Sequence, residues 1–560
     1  MAFKPLPIGV DNFEDIIRNG YYYVDKTQMI KELWDRKGKV NLFTRPRRFG
    51  KTLNMSMLQY FFENTGVEEQ NNKNRELFAG LHIMKAGDAY TGLMGQYPVI
   101  SLSLKSGKQA TFENSMAMLK RRIAEEFRRH QYIRDNIGDQ RERFDRIMME
   151  KGDLNDYLDA IAFLSSLLNQ CYGKPAIILI DEYDVPLENA YFNGFYEEML
   201  HFIRSLFESA LKTNSCLEFA VITGCLRITR ESIFTGLNNL KVISILDEFY
   251  GEYFGLTQAE VDEMLVFYGQ EKNRETLKQW YDGYLFGGKE VYNPWSVINY
   301  VESLTGNEQA FPKPYWSNTS ANSIVKDLVE QADIGVREEI ENLIDGGTIE
   351  KQIHEDITYG DIYQSEDNLW NFLFFTGYLK KVEGRMEGNR QYMTMAIPNE
   401  EVKYTYENTV LSWFDSNIRQ KDFSPLFEAL EQGDTDTMET ILAENLMETI
   451  SFYDYAENYY HGFLAGILRT GGDKYIVKSN REAGLGRPDI VIRTPSVRGR
   501  AFVIEIKAAD SLADMERQCQ AALSQIKTQK YREEFLEEGF KNVWAYGICF
   551  WKKEVMVRLL

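Results

Sequence analysis

Nothing in this chain approaches the uninterrupted run of about 20 apolar residues that a membrane-crossing helix requires. Its opening residues, Met1-Ala2-Phe3-Lys4-Pro5-Leu6-Pro7, also lack the apolar core of a secretory signal. Cysteine is scarce. Cys171, Cys216, Cys225, Cys519 and Cys549 form no C-x-x-C pair and no metal-ligand spacing, which argues against a disulfide framework and for buried thiols in a reducing compartment. These absences lead us to expect a cytoplasmic protein without a membrane partner. Basic charge is outnumbered, with 64 Lys and Arg against 84 Asp and Glu. The resulting net charge of −20 excludes a general attraction to polynucleotides or anionic membranes, so any such contact has to be local. Internal repeats and low-complexity linkers are missing too. Core material is plentiful, at 44% hydrophobic and 13% aromatic residues, and 560 residues suffice for three to four domains of about 150 each.

Arg45-Pro46-Arg47-Arg48-Phe49-Gly50-Lys51-Thr52 follows the apolar run Val40 to Phe43 and leads into the apolar stretch Leu53 to Phe62. Strand, tight loop and helix are the context of a phosphate-binding loop. Backbone N–H groups at the helix start would wrap phosphates, the Lys51 ammonium would reach the β and γ oxygens, and the Thr52 hydroxyl would ligate Mg²⁺. Arg47, Arg48, Phe49 and Gly50 complete the candidate ATP-binding loop. Arg45 stands where such a loop usually opens with glycine, so an ordinary backbone shape is not assured.

A second motif supports the first. Pro175 to Ile180 is an unbroken branched-apolar run ending in Asp181-Glu182-Tyr183-Asp184, the pattern of a central parallel strand with carboxylates at its C-terminal end, where open α/β sheets bind ligands. Asp181 is the candidate Mg²⁺ carboxylate, and Glu182 the candidate group that orients or deprotonates water. Leu217 to Gly224 is the next strand, with Thr223 placed to sense a γ-phosphate. Arg227 and Arg230 either supply transition-state charge, in cis or to a neighbouring subunit, or are packing residues. Tyr21-Tyr22-Tyr23-Val24 is strand-like and reads more readily as core than as a base-pocket wall.

Tyr23 to Thr27, Arg45 to Thr52, Ile180 to Asp184, Thr223 to Ile228, Ser232 to Asn239 and Trp280 to Tyr284 together resemble the bacterial AAA-ATPase-like family. The resemblance implies an N-terminal ATPase-like module and, commonly, a C-terminal PD-(D/E)XK nuclease-like domain; within that family an arginine-opened phosphate loop is usual. The expected fold class is therefore α/β: a P-loop NTPase (RecA/AAA-like) parallel-sheet domain over 1–255, a helical, winged-helix-like lid over 256–400, a helical connector over 401–450 and a PD-(D/E)XK nuclease-like α/β domain over 451–560. In the lid, Thr257 caps a helix, and a β-hairpin around Arg385 to Met395 forms a wing whose acids favour a structural role over a DNA-contacting one.

In the last domain the order is helix, strand, turn, two strands, helix and strand. Glu505 and Lys507 lie two apart on one strand and so share a face, and Asp489 opens the neighbouring strand. Two carboxylates, Asp489 and Glu505, would hold Mg²⁺ at a phosphodiester, and the Lys507 ammonium would steady the attacking hydroxide or the phosphorane charge. Glu457 and Gln525 either complete this set, as the resemblance implies for the glutamine, or are helix-surface residues; Glu482 has the same two readings. His461 reads as a packed histidine. Lys474, Lys478, Arg481, Arg487, Arg493, Arg498 and Arg500 are candidates for local phosphate contacts.

The chain is thus expected to couple ATP binding and hydrolysis to Mg²⁺-dependent cleavage of nucleic acid, DNA in preference to RNA, and to be capable of forming a homo-oligomer. The alternative is a signalling or scaffold NTPase whose last domain binds nucleic acid or protein without cutting.

Overall fold

The computed structural model describes residues 3–226, 233–234, 237–316, 334–355, 365–409, 421–447, 457–479 and 488–560. Two compact units emerge: Met1–Ser320 with Thr348–Tyr404, and Ala321–Gly347 with Thr405–Leu560.

The first unit is built on a five-stranded sheet of β1 (Val40–Thr44), β2 (Val99–Ser103), β3 (Ala176–Asp181), β4 (Leu217–Gly224) and β5 (Leu240–Ile243). Its order is β2-β3-β4-β1-β5 and every pairing is parallel. All residues of β1 and β3 are buried, as apolar strands covered by helices on both faces must be. Parallel pairing brings the C-terminal ends of β1, β3 and β4 to one edge. The chain leaves β1 towards β2 on one side and leaves β4 towards β5 on the other, which opens the crevice where such sheets bind ligands. Residues Tyr21–Val24 form no strand. Tyr22 packs on Phe267 and Tyr268, and Tyr23 packs edge-on against Phe13, so aromatic contacts replace the expected ladder.

Helices follow. Thr257 and Glu260 form a reciprocal capping box at the start of helix Gln258–Tyr268, and the Asn293 side chain caps helix Pro294–Gly306. Between them lies a two-stranded hairpin, β6 (Tyr284–Phe286) and β7 (Lys289–Val291). Further on, helix Glu366–Thr376 leads into a three-stranded antiparallel sheet of β8 (Ile349–Gln352), β10 (Arg390–Ala396) and β9 (Lys380–Glu387), a winged-helix-like arrangement. This layer touches the phosphate loop. The Trp316 indole N–H donates to the Arg47 carbonyl at 3.2 Å, and the Trp316 ring packs on Tyr378 with centroids 4.8 Å apart. A Cβ on Gly377, whose φ is +93°, would meet Pro46 at 3.0 Å. Behind Trp316 lies Glu401, fully buried, which accepts the Ser296 hydroxyl at 2.7 Å and the Trp316 backbone N–H at 2.8 Å.

The second unit carries a five-stranded sheet in the order β11 (Ile476–Ser479), β12 (Ile490–Arg493), β13 (Arg500–Ala508), β14 (Asn542–Trp551) and β15 (Glu554–Leu559). Only the β13–β14 pairing is parallel. Helix Glu457–Leu468 packs on one face of β13, in a core that includes Phe502, Ile504 and Tyr546, and helix Met515–Thr528 packs on β13 and β14 from the other, with Leu523 and Ile526 against Val503 and Ala545. The Glu439 carboxylate, from helix Thr435–Met447, accepts the Val557 N–H at 2.7 Å and so closes a bond of the edge strand β15.

Burial pushes the Glu401 carboxyl up from an ordinary 4.5 to about 7, against the lowering effect of its hydrogen bonds. Between those values the folded chain holds a proton that the unfolded chain has released. Stability from this group is therefore complete below about 4.5 and declines as pH rises towards 7. In a pH series of thermal unfolding, Glu401→Gln should narrow the stability difference between pH 5.5 and pH 8 by up to about 2 kcal/mol. An unchanged pH dependence would remove Glu401 as its source.

Candidate active sites

The phosphate loop owes its shape to aromatic packing more than to glycine. Arg45, in the opening position, is fully buried. Its guanidinium donates to the carbonyls of Thr44 at 2.8 Å and Ile243 at 2.9 Å, and it lies 5.2 Å from the Phe254 ring and 5.1 Å from the Phe286 ring. It is a peg between strands and not a phosphate ligand. Phe49 is fully buried as well, packed on Tyr284 and Phe286. Arg48 has φ +70° and Gly50 +80°, left-handed conformations that only Gly50 adopts without strain. The Arg48 guanidinium lies 4.3 Å from the Trp295 ring, and Arg47 is ion-paired with Glu188.

Helix Lys51–Phe62 begins immediately after Gly50 and has no side-chain cap, which leaves its first-turn N–H groups to an outside acceptor. The Lys51 ammonium donates to the carbonyls of Arg45 at 2.8 Å and Pro46 at 2.9 Å. Asp181 receives two hydroxyls, that of Thr52 at 2.7 Å on one oxygen and that of Thr223 on the other. Thr223 in turn accepts the Glu182 N–H at 3.4 Å. Glu182 sits at φ +54°; burial and the neighbouring Asp181 raise its carboxyl above the usual range. Arg227 and Arg230 lie outside the described residues.

Beside this loop is a cavity of about 390 Å³. Loop residues Arg47 to Thr52 and Glu182 form one part of it; the N-terminal segment, with Val10, Tyr22 and Tyr23, forms another; and Met264, Trp295 and Ile298 close it. Two of the tyrosines thus border the cavity as well as packing. Asp181 and Thr223 are not among its lining residues and stand behind Thr52.

In the second unit the neighbouring strands β12 and β13 bring Asp489, Glu505 and Lys507 together. Asp489 accepts the Ile506 N–H at 2.8 Å across the ladder, where Ile490 pairs with Ile504. Glu505 is 1% exposed, accepts the Gln525 amide and lies 3.7 Å from the Lys507 ammonium. His461 donates its Nε2–H to the Asp489 carbonyl at 3.0 Å. Glu457 opens the same helix one turn before His461. Among the described residues no three His, Cys, Asp or Glu side chains gather as a metal cluster, so the pair Asp489 and Glu505 is the carboxylate set available. Of the basic residues nearby, Lys474 and Arg500 both pair with Glu431, and Arg493 pairs with Glu538. Lys478 and Arg498 are exposed, and Arg481, Glu482 and Arg487 lie outside the described residues.

Residues 7–234 match the AAA-ATPase-like family, described as "Predicted AAA-ATPase", and residues 455–558 match the family described as "PD-(D/E)XK nuclease superfamily". The chain carries an AAA-ATPase-like domain and a PD-(D/E)XK nuclease-superfamily domain. Over 554 residues it is also 26% identical to "Uncharacterized protein in vnfD 5'region" of Azotobacter chroococcum mcd 1, covering 96% of this chain and 95% of that protein. Domains of these two kinds generally use ATP and a divalent metal.

The AAA-ATPase-like match ends at residue 234, yet the cavity beside its phosphate loop is completed by Leu256, Met264 and Trp295, which lie beyond it. Lys105 and Lys108 also line that cavity and went unnoticed in the sequence. The rule that singled out Asp181, a charged residue at the C-terminal end of a parallel strand, extends to Lys105, two residues past the end of β2. In the nuclease-superfamily domain the unnoticed residue is Tyr531. It is 2% exposed, and its hydroxyl is raised by burial and by the charges of Glu505 and Asp489. Its only sequence signal is an aromatic residue six positions past Gln525.

Gly224 closes β4 beside Thr223, and a Cβ there would stand 2.5 Å from the Tyr183 ring. That ring cannot swing aside freely, because its hydroxyl donates to the Leu226 carbonyl at 2.6 Å. Gly224→Ala should destabilise the AAA-ATPase-like domain by about 1–3 kcal/mol in denaturant unfolding. Gly288→Ala, where a Cβ meets nothing within 4 Å, should leave stability nearly unchanged. Equal effects of the two substitutions would contradict the close approach of Tyr183.

Proposed function

We propose that this protein binds and hydrolyses ATP and couples that reaction to a Mg²⁺-dependent PD-(D/E)XK-type nuclease acting on nucleic-acid phosphodiesters, DNA in preference to RNA. The observation that carries the proposal is the convergence of Asp489, Glu505 and Lys507 on adjoining strands. Each of the two carboxylates is already held by a donor, Ile506 N–H or Gln525. A carboxylate fixed in this way needs little reorganisation to accept a cation or a substrate.

In the nuclease site Asp489 and Glu505 hold the metal. The Lys507 ammonium, beside Glu505, steadies the attacking oxygen and the charge that builds on the phosphate, Gln525 orients Glu505, and Glu457 completes the acid set. Mg²⁺ would supply a lowered pKa for water and a counter-charge for the phosphate. In the ATP site the first-turn N–H groups of helix Lys51–Phe62 and the Lys51 ammonium take the phosphates, with Arg47, Arg48, Phe49 and Gly50 shaping the loop. Thr52 and Asp181 hold the metal, Thr223 senses the γ-phosphate, and Glu182, its carboxyl raised by burial, accepts the proton of water. Arg227 or Arg230 supplies further charge, in cis or across a homo-oligomer. The domains divide at about 255, 400 and 450, and the location is cytoplasmic; among the described residues no helix is long and apolar enough to cross a membrane.

A second reading, an NTPase switch whose last domain binds without cutting, is favoured by one observation. Lys474, Arg500 and Arg493 are already ion-paired within the protein, which weakens the basic rim that a polynucleotide needs. Cleavage of labelled DNA and RNA substrates in Mg²⁺, with and without ATP, separates the two. Cutting should fall by at least about 100-fold in Lys507→Ala and respond to ATP in the wild type but not in Lys51→Ala. No cutting of any substrate, with ATP hydrolysis intact, establishes the switch.

A further inference from the structure

Six cationic side chains line the cavity beside the phosphate loop: Lys26, Arg47, Arg48, Lys51, Lys105 and Lys108. Four are engaged by the protein itself. Lys26 donates to both oxygens of Glu260, at 2.5 and 2.6 Å; Arg47 pairs with Glu188; Arg48 lies on Trp295; and Lys51 is bonded to two loop carbonyls. Lys105 and Lys108 have no hydrogen-bond or ion-pair partner among the described residues, and Glu182 lines the same cavity.

Their backbone is held firmly. Leu104 N–H donates to the Asp181 carbonyl at 3.0 Å, which ties the turn after β2 to the end of β3. The Ser115 hydroxyl donates to the Gly107 carbonyl at 2.8 Å, and a Cβ on Gly107 would stand 2.8 Å from Pro186, so this turn lies tightly against the helix that follows Asp184. A rigid turn thus presents two long, unengaged ammonium groups to the same cavity as Lys51, on the side of Glu182. Such groups have a high desolvation cost if enclosed alone and gain most from a multiply charged anion.

We infer that Lys105 and Lys108 bind the γ-phosphate of ATP in cis, opposite Lys51. The inference rests on the reading of this cavity as an ATP site, and it adds what distinguishes triphosphate from diphosphate there. Charge at the end of the phosphate chain then comes from within one subunit, so ATP discrimination needs no arginine from a neighbour.

Calorimetric titration of the full chain with ATP and with ADP in Mg²⁺ tests this for wild type, Lys105→Ala, Lys108→Ala, the double variant and Lys105→Arg. The double variant should lose about tenfold or more in ATP affinity, with ADP affinity changed by less than about twofold. Lys105→Arg should retain most of the ATP preference. Thermal unfolding of each variant should match wild type, since both side chains are exposed. Equal weakening of ATP and ADP, or no change in either, overturns the inference while leaving the ATP site in place. A wild-type chain that binds neither nucleotide overturns the ATP site itself and the inference with it, an outcome visible before any variant is made.

Discussion

The carboxylate of Asp181 is the point on which the first unit turns. It is 6% exposed at the end of a strand with no other polar residue, and a charge so placed has to be hydrogen-bonded. Its two partners come from separate elements: Thr52 from the first turn of the helix after the phosphate loop, and Thr223 from the end of β4. One carboxylate therefore fixes the ends of β3 and β4 and the start of that helix relative to each other. The sheet order makes this possible, since β4 lies between β3 and β1 and all three end at the same edge. Gly224, directly after Thr223, has to lack a side chain because Tyr183 occupies the space beside it.

The phosphate loop depends on the rest of the unit in the opposite sense: it is shaped from outside. A glycine-rich loop reaches unusual backbone angles through its own freedom, whereas this one holds Arg48 at φ +70°. What stabilises that conformation is the surrounding aromatic packing, with Phe49 between Tyr284 and Phe286, Arg48 on Trp295, and Trp316 bonded to the Arg47 carbonyl. The helical middle and the winged layer are thus structural parts of the loop. Glu401, buried beneath Trp316, ties the segment after the wing to that support.

What was legible in the sequence follows from this division. Unbroken apolar strands, Asp181 at a strand end, the Thr257 cap and the pairing of Asp489 with the Glu505 strand are local patterns, governed by periodicity and short-range hydrogen bonding, and they stand as read. The reading failed where long-range packing decides. Tyr21–Val24 has the composition of a strand but lies against residues some 240 positions later, Phe267 and Tyr268. Arg45 was legible as a departure from the usual glycine, but its place as a buried peg depends on the ring faces of Phe254 and Phe286, distant in sequence. Likewise the basic residues near Asp489 were legible as charge but not as partners, because Glu431 and Glu538 lie on other elements.

The distribution of cations then separates the two sites physically. A net charge of −20 disfavours any polyanion at long range, so a site that binds one has to concentrate positive potential locally. The cavity beside the phosphate loop does so: six cations line it against three acids, Asp11, Glu182 and Glu188, and the last of these is matched by Arg47. At the Asp489 and Glu505 pair the ammonium nearest the carboxylates is that of Lys507, 3.7 Å from Glu505, and three of the surrounding basic side chains are neutralised by glutamates. A small, highly charged ligand enclosed by the first unit would gain from low dielectric, whereas an extended polynucleotide at the second would depend on exposed cations, of which Lys478 and Arg498 are among the described residues. Nucleotide binding in the first unit should accordingly tolerate salt far better than polynucleotide binding in the second, because buried pairs are screened less than exposed ones.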